Sequence, residues 1–210
     1  MSTPRGRVDA RRNREQILAT AIRLFAADGV EMPMREIARE ASVGVATLYR
    51  CFPDREALIL AVARQSYSAA LTHVRAARAE EPTAWDTFEQ IIRYVLQIRL
   101  SFQLMNDPIA GEVIKADQES IGYLDEIVKL SEETMATAQA EGSMRTDVGL
   151  SDVLMLYNGI VASSASNPDS TSDISAQRGL AIILDGLRTT SPSPLPGKPA
   201  PFEKIVKDRC

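Results

Sequence analysis

Residues 34–58 read MREIAREASVGVATLYRCFPDREAL, and this stretch decides how the N-terminal part of the chain is expected to fold. Its first half carries apolar residues at the spacing that buries one face of an α-helix: Ile37, Ala38 and Ala41. Ser42 and Gly44 then interrupt that helix. A second inward face is predicted just beyond the break: Val45, Leu48 and Phe52. Two short helices at a tight break are typical of a helix-turn-helix, whose second helix enters the major groove of DNA.

Residues on both sides of this break carry a resemblance to a known family. The break is followed by Ala46-Thr47-Leu48-Tyr49, Phe52 and then a helix start, Pro53-Asp54-Arg55-Glu56-Ala57-Leu58. Upstream stand Arg14-Glu15-Gln16-Ile17-Leu18, Ala21, Leu24-Phe25 and Gly29. With this combined spacing the N-terminal part resembles the tetracycline-repressor (TetR) family of bacterial regulators. The resemblance implies an all-α protein with an N-terminal three-helix helix-turn-helix domain and a C-terminal helical domain for ligand binding and dimerisation.

Composition agrees with a helical protein and excludes several other classes. Of 210 residues, 45% are hydrophobic but only 5% are aromatic, which disfavours an all-β chain. No apolar run approaches the ~20 residues that a membrane span needs. The N-terminus is rich in arginine and lacks the apolar core of a signal peptide, so a cytoplasmic protein is expected.

The residues that enzymes and metal sites need are scarce. The two cysteines, Cys51 and Cys210, are far apart and suggest neither a disulfide framework nor a metal site. His73 is the only histidine, which leaves little from which a catalytic triad could form, and no phosphate-cradling glycine loop or HExxH pair occurs. We therefore expect no enzyme activity, no cofactor and no bound metal.

Charge is divided unequally along the chain. The net charge is −4, yet residues 1–55 hold ten arginines and seven carboxylates, a net charge of +3, so the remainder carries −7. A positive N-terminal part attracts phosphates, whereas an acidic remainder is repelled by DNA. This division supports two separate tasks in one chain.

Four segments follow from these patterns. Residues 1–13 are expected to be a flexible basic arm, which either aids solubility or gains order along DNA phosphates or in the minor groove. Residues 14–55 are the predicted DNA-binding domain, and residues 56–189 the effector-binding and dimerisation domain. Residues 190–210 are a proline-rich tail that we expect to be disordered.

Periodicity and breaks predict helices outside the central motif. Their expected ranges are 14–29, 54–78, 83–106, 109–116, 118–141, 150–162 and 174–188. The last two carry small residues that let helices approach closely. The TetR resemblance implies that this pair packs against its copy in a second subunit, in keeping with a palindromic operator. The alternative is a pair packed only within one monomer.

Eight residues form the predicted DNA-binding set: Arg35, Gly44, Val45, Ala46, Thr47, Tyr49, Arg50 and Arg55. The family often uses the position of Arg35 on a base edge. The resemblance assigns phosphates to the hydroxyls of Thr47 and Tyr49, although Tyr49 is alternatively a surface-packing residue. Arg50 either reads a base or balances nearby glutamates. Arg55 stands where relatives usually have lysine, and its charge is expected to face a phosphate.

Three departures from the family pattern weaken this predicted surface. Cys51 replaces a histidine or tyrosine that touches the DNA backbone, Ala46 replaces a glycine, and Gly44 replaces a serine-type helix cap. Val45 and Ala46 offer only apolar contact, chiefly to thymine methyl groups. We therefore expect sparse base readout.

A candidate effector pocket is predicted around the helix of residues 83–106. Arg99 and Asn106 fall in the middle of its apolar stripe, where polar side chains need partners. They are predicted to meet an anionic or polar ligand, with the remaining pocket residues as walls and polar tips: Phe88, Ile92, Val95, Phe102, Met105, Tyr123 and Asn158. The alternative for Arg99 is an internal salt bridge to an acid such as Asp125 or Glu126.

These expectations combine into a homodimeric transcriptional regulator. It is predicted to repress from a palindromic operator on double-stranded DNA and to be released by a small-molecule effector. Two other hypotheses remain. One is a ligand-binding or scaffolding helical dimer whose DNA reader has decayed. The other is a regulator in which oxidation of the Cys51 thiolate weakens DNA binding.

Overall fold

The computed structural model describes residues 4–97, 104, 107–165, 170–188 and 193–199. In these ranges the backbone forms helices and no strand, which confirms the predicted all-α class. The helices, numbered in chain order, are α1 (Pro4–Asp28), α2 (Met34–Glu40), α3 (Val45–Cys51), α4 (Arg55–Glu80), α5 (Ala84–Gln97), α6 (Pro108–Lys115), α7 (Gln118–Ala140), α8 (Leu150–Ala165) and α9 (Ser170–Leu187).

The chain divides into two compact units. Unit 1 comprises residues 1–69 and 99–124, and unit 2 comprises residues 70–98 and 125–210. This division differs from the predicted one, in which the DNA-binding domain ends at residue 55 and the effector-binding domain begins at residue 56. The difference has a physical cause: Ala110 and Ile114 of α6 belong to the same buried apolar cluster as Leu58 and Val62 of α4. The first half of α4 therefore shares its core with helices from both sides along the chain.

α1 anchors unit 1 through one apolar face. Ile17, Ala21 and Phe25 are fully buried at the helical spacing, and burial of a large apolar side chain contributes ~1.5–3 kcal/mol. The helix ends at Gly29, whose φ of 84° is a left-handed conformation and whose N–H donates to the Phe25 carbonyl at 3.1 Å. The predicted glycine stop is present.

The start of α1 differs from the sequence expectation. Residues 1–13 were predicted to be a flexible arm, but the helix begins at Pro4, ten residues before the predicted start at Arg14. Once Ile17 and Ala21 hold the helix in place, each preceding residue adds a hydrogen bond without a new nucleation cost. The basic segment is thus a helical extension from Pro4 onwards.

A partly buried ion pair ties α4 to the junction of α6 and α7 within unit 1. Arg64 Nε donates to Asp117 Oδ2 at 3.0 Å, Nη2 donates to Oδ1, and Nη1 lies 2.7 Å from Glu119 Oε2. Asp117 also caps α7 by accepting from the Ser120 N–H at 2.9 Å. These hydrogen bonds, the Arg64 guanidinium foremost, hold the pKa of Asp117 well below its ordinary value.

We expect Asp117→Asn to lower the free energy of unfolding at neutral pH by about 1 kcal/mol, a low value because Arg64 is partly exposed. Because the folded-state pKa of Asp117 is depressed, its contribution is present above the unfolded pKa of ~3.9 and disappears as pH falls further. The difference between the two proteins in urea denaturation should therefore shrink below about pH 4. A difference that stays constant across that range would contradict the assignment.

Unit 2 contains the second half of α4, the part of α7 after residue 124, and α5, α8 and α9. Ion pairs link α4 to α7: Arg75 Nη2 lies 2.6 Å from Glu126 Oε1, and Arg78 Nη1 lies 3.0 Å from Glu133 Oε2. Phe88 and Trp85 bury one face of α5. The connection expected over residues 163–173 is shorter than predicted, because α8 extends to Ala165 and α9 begins at Ser170.

Part of the predicted disordered tail is docked on unit 2. Arg145 Nη2 donates to the Ser193 carbonyl at 2.8 Å, and the Leu195 N–H donates to Asp147 Oδ2 at 2.9 Å. Hydrogen bonds from Arg145 and from that N–H hold the pKa of Asp147 below its ordinary value. A Cβ on Gly149 would lie 2.7 Å from Pro199 Cβ, so glycine permits the close approach. Residues 193–199 thus contact unit 2, which differs from the expected disordered tail, while 190–192 and 200–210 lie outside the described residues.

Candidate DNA-binding surface

The turn between α2 and α3 is closed by backbone hydrogen bonds. Ser42 adopts a left-handed conformation with φ of 52°, which serine rarely does. Its N–H donates to the Arg39 carbonyl at 3.0 Å, and the Val43 N–H donates to the Ala38 carbonyl at 3.0 Å. These two bonds form a Schellman motif, so the predicted break at Ser42 is a defined helix C-terminus that turns the chain into α3.

We expect Ser42→Gly to raise the free energy of unfolding by about 0.5–1 kcal/mol. Glycine removes the cost of ~1–2 kcal/mol for a left-handed L-residue, and part of that gain is offset by its greater freedom in the unfolded chain. Gly29→Ala is the opposite control: its added Cβ meets nothing within 4 Å, so only the backbone conformation opposes it. Denaturant midpoints should move up for Ser42→Gly and down for Gly29→Ala. A lowered midpoint for Ser42→Gly would show that the left-handed conformation of Ser42 does not destabilise the folded protein.

α3 is held by two buried side chains and presents its other residues outward. Leu48 and Phe52 are fully buried, in agreement with their predicted inward position. Val45, however, is 45% exposed, so its predicted place on the inward face is wrong. It is the first residue of α3, directly after the cap residue Gly44, where the core does not yet cover the helix.

The structure brings most of the predicted DNA-binding residues to one exposed face of α3. Ala46, Tyr49 and Arg50 are exposed beside Val45, whereas Thr47 is half-buried. Gly44 is the N-cap of α3 and offers no side-chain hydrogen bond to it, as the departure from a serine-type cap implies. Arg50 makes no ion pair with any residue in the described part of the chain. Its guanidinium is therefore not balanced by the nearby glutamates there.

Unlike Arg50, the two arginines of α2 form ion pairs with a neighbouring glutamate. Arg35 Nε lies 3.7 Å from Glu36 Oε1, and Arg39 Nη2 lies 2.9 Å from Glu36 Oε2. Arg39 also contacts Glu40, whose other oxygen is 3.6 Å from Arg23. All these arginine side chains are largely exposed, so each pair contributes at most ~1 kcal/mol and is easily exchanged for another partner. Arg35 remains accessible at the start of α2.

Arg55 has a role inside the protein that the sequence did not indicate. Its Nη1 donates to the Met32 carbonyl at 2.8 Å and to the Val30 carbonyl, and the side chain is half-buried. The guanidinium thereby fastens the loop between α1 and α2 to the start of α4. The residues involved are 23 and 25 positions apart, so no local pattern could have shown this contact. The predicted phosphate contact of Arg55 stays a prediction beside it.

In the absence of DNA, Arg55→Ala should lower the free energy of unfolding by about 1–3 kcal/mol, because two carbonyls lose a charged donor. Arg50→Ala is the matched control: it removes an exposed arginine from the adjacent helix and should change stability by less than ~0.5 kcal/mol. Chemical denaturation of both variants measures the difference. Equal midpoints would mean that the loop contacts contribute nothing.

Cys51 and Arg14 lie next to this surface. Cys51 is a half-buried free thiol at the end of α3 and packs against the core of unit 1. The Arg14 guanidinium carbon lies 4.4 Å from the centre of the Phe52 ring, a cation–π contact that no sequence signal indicated. Arg14 therefore links α1 to the residue that ends α3.

The predicted effector-pocket residues are only partly described. Phe88 and Ile92 are buried and Asn158 is half-buried in unit 2. Tyr123 belongs to unit 1, where its hydroxyl donates to Glu119 Oε1 at 3.1 Å. Arg99, Phe102, Met105 and Asn106, and the side chain of Val95, lie outside the described residues. Glu126, one suggested partner of Arg99, is paired with Arg75.

A cleft of about 680 Å³ opens in unit 2. It is lined by Thr83, Trp85, Asp86, Glu141, Gly142, Ser143 and Arg188. Some of its polar groups take part in the fold: the Asp86 N–H donates to Thr83 Oγ1 at 3.1 Å, and the Arg188 guanidinium carbon lies 4.7 Å from the centre of the Trp85 ring. Among the described residues, none of those that line the cleft belongs to the predicted pocket.

His73 is a packing residue in this structure. Its ring stacks on Tyr94 of unit 2, with ring centres 3.8 Å apart.

Among the residues that the structure describes, no group of three or more histidine, cysteine or acidic side chains could hold a metal ion. In the same residues no helix has the length and apolar character needed to cross a membrane.

Comparisons with known proteins match both parts of the chain. Residues 17–62 match the model of bacterial regulatory proteins of the TetR family, and residues 86–189 match the C-terminal domain of SbtR-like transcriptional regulators. The TetR transcriptional regulator SCO0520 from Streptomyces coelicolor is 31% identical with a TM-score of 0.63, covering 85% of this chain and 99% of that one. A TetR regulatory protein from Mycobacterium vanbaalenii is 29% identical with a TM-score of 0.58, covering 87% and 99%.

A helix-turn-helix regulator of Staphylococcus aureus is 30% identical over 100 residues, which are 47% of this chain and 54% of that protein. The chain thus spans about half the length of the curated relatives that it matches. Together with the full-length structural matches, the findings define a helix-turn-helix regulator fold. The chain belongs to the TetR family, and its relatives are transcriptional regulators rather than enzymes, as the sequence predicted.

Proposed function

We propose that this protein regulates transcription by binding duplex DNA through α2 and α3. One observation carries the proposal: α3 is seated by Leu48 and Phe52 so that Val45, Ala46, Tyr49 and Arg50 project from one exposed face. A rigidly seated short helix with an exposed polar and apolar face is what major-groove reading requires. Such a protein works where the bacterial chromosome is, in the cytoplasm.

Within this surface we assign separate roles. Arg35 and Arg50 are accessible and reach base edges, where a bidentate contact to guanine contributes ~1–3 kcal/mol of discrimination. The hydroxyls of Thr47 and Tyr49 hold phosphates and set the docking register. Val45 and Ala46 contact thymine methyl groups. Arg55 is primarily a structural residue, because its Nη1 is engaged by backbone carbonyls.

We propose that the protein acts as a homodimer through α8 and α9. Large apolar side chains remain exposed on these two helices: Met155, Leu156, Ile174 and Ile182, the last of them 69% exposed. Such exposure in a single chain is reduced when a second copy covers it. Gly159 and Gly186 are also exposed there and allow close helix approach. A twofold axis then presents two α3 helices to a palindromic operator.

The proposed regulation is release of a repressor from DNA by a small molecule. The C-terminal match to a regulator domain and the buried apolar residues Phe88 and Ile92 of α5 support a ligand site in the helical body. Arg99 and Asn106 are the proposed polar contacts to an anionic or polar effector. Binding there would favour a state in which the two α3 helices no longer match one turn of DNA.

To test this function, fragments of the source genome are incubated with the purified protein at moderate salt, and the retained duplexes are sequenced. A palindrome with half-sites about one helical turn apart, ~34–36 Å, is the expected result. Retention of no particular sequence by the folded protein would favour a ligand-binding dimer with a decayed reader. Loss of binding on oxidation, abolished by Cys51→Ser, would instead favour the thiol-redox regulator.

Arg35→Ala should weaken binding to the selected operator by about 1–3 kcal/mol and relax the preference at one base position per half-site. A second round of selection with this variant measures both effects. Arg93→Ala, which removes the same charge from an exposed position of unit 2, is the control for charge change alone. An unchanged sequence preference for Arg35→Ala would remove Arg35 from the base-reading set.

A further inference from the structure

The positive charge of the N-terminal part lies outside the helix-turn-helix itself. Residues 17–62, the segment that matches the TetR N-terminal model, contain five arginines, no lysine and six carboxylates, a net charge of −1. Residues 1–16 contain five arginines and two carboxylates, a net charge of +3. The attraction to DNA phosphates therefore originates before the first core residue, Ile17.

Four of the five arginines of residues 17–62 lie beside a carboxylate or a backbone carbonyl, which reduces the positive potential around this segment. Arg35 and Arg39 lie beside Glu36, and Arg23 lies beside Glu40. Arg55 donates to two backbone carbonyls. Among the arginines of residues 17–62, Arg50 is the one without an ion pair or hydrogen bond in the described part of the chain. Arg35 can leave its exposed ion pair, but even two such cations are few for a DNA-binding unit, since proteins of this kind make up to ~6–10 phosphate contacts.

Residues 4–16 form a basic helical segment at the start of α1. We call residues 4–16 the N-terminal arm; it forms the first part of α1. Its described side chains are exposed apart from Asn13, which is half-buried, and Val8 is 64% exposed. Within the arm, Arg11 Nε lies 3.4 Å from Glu15 Oε1. Both side chains are largely exposed, so this ion pair contributes little to stability. The described side chains of the arm thus contribute no buried apolar residue to the core.

The C-terminal end of the arm lies next to the C-terminal end of α3. Arg14 lies over the ring of Phe52, the residue that immediately follows α3. From Arg14 back to Pro4 the helix rises ~15 Å, at about 1.5 Å per residue. Duplex DNA carries one phosphate charge per ~1.7 Å of its axis, so a basic helix of this length is long enough to span several phosphates.

From these observations we propose that the N-terminal arm binds the phosphate backbone of duplex DNA and supplies most of the electrostatic attraction, while α3 supplies the sequence preference. This inference rests on the proposed DNA-binding function. Contacts to phosphates carry no sequence information, so the arm should strengthen binding to every duplex by the same factor.

The test uses the full chain with Arg11→Gln and Arg12→Gln combined. Glutamine has nearly the helix propensity of arginine, so α1 should persist, which circular dichroism checks. The binding constant is measured against salt concentration on the selected operator and on a random-sequence duplex. The matched control combines Arg93→Gln and Lys129→Gln, which remove the same charge from exposed positions of unit 2.

If the arm binds phosphates, the slope of log K against log salt becomes shallower by ~0.9 for each phosphate contact that the substitutions remove, hence by about 1.8 per subunit. Affinity for operator and for random duplex should fall by the same factor, and the control should keep the original slope. An arm variant that retains the slope of a DNA-binding wild type overturns the inference and leaves the proposed function intact. A wild type that binds no duplex overturns both.

Discussion

Burial of Leu48 and Phe52 is the interaction on which the DNA-binding surface depends. α3 has only seven residues, and an isolated helix of that length is unstable in water. Its existence and its direction therefore come from these two side chains in the core shared with α1 and α2. Because the core determines which side of α3 is covered, it also determines which residues remain outside. The exposed face of α3 is therefore determined by the packing of Leu48 and Phe52, and not by the residues that lie on that face.

The same core extends to a distant part of the chain. Leu104, Ala110 and Ile114 join the cluster that holds the helix-turn-helix, and Arg64 bonds to Asp117 at the start of α7. The structural unit that contains the reader thus includes residues 99–124, which lie within the predicted effector domain. A displacement of Leu104, Ala110 or Ile114 would act directly on the core that they share with α4. The shared core therefore connects the packing of residues 104–114 to the packing of the helix-turn-helix within unit 1.

Local pattern predicted much of the fold, since helix periodicity, glycine stops and proline breaks act over a few residues. The ends of α1 and α7 at Gly29 and Gly142 are such cases, and both glycines have left-handed φ angles. Contacts between distant residues escaped prediction: Arg55 with the Met32 carbonyl, Arg14 with Phe52, and the docked residues 193–199. The exposed position of Val45 escaped as well, because periodicity gives a face but not where the core stops covering it.

Separation of charge from readout has a physical advantage for a protein that must discriminate among sequences. A reader with net charge of −1 gains little from any random duplex, so its affinity depends on the quality of its base contacts. Placing the arginines on an adjacent helix adds attraction that is equal for all sequences and adjustable by salt. The acidic body opposes nonspecific adsorption over the rest of the surface. In the proposed division of roles, specificity, a difference between affinities, depends on the few exposed residues of α2 and α3, while the arm sets how tightly the protein remains on DNA.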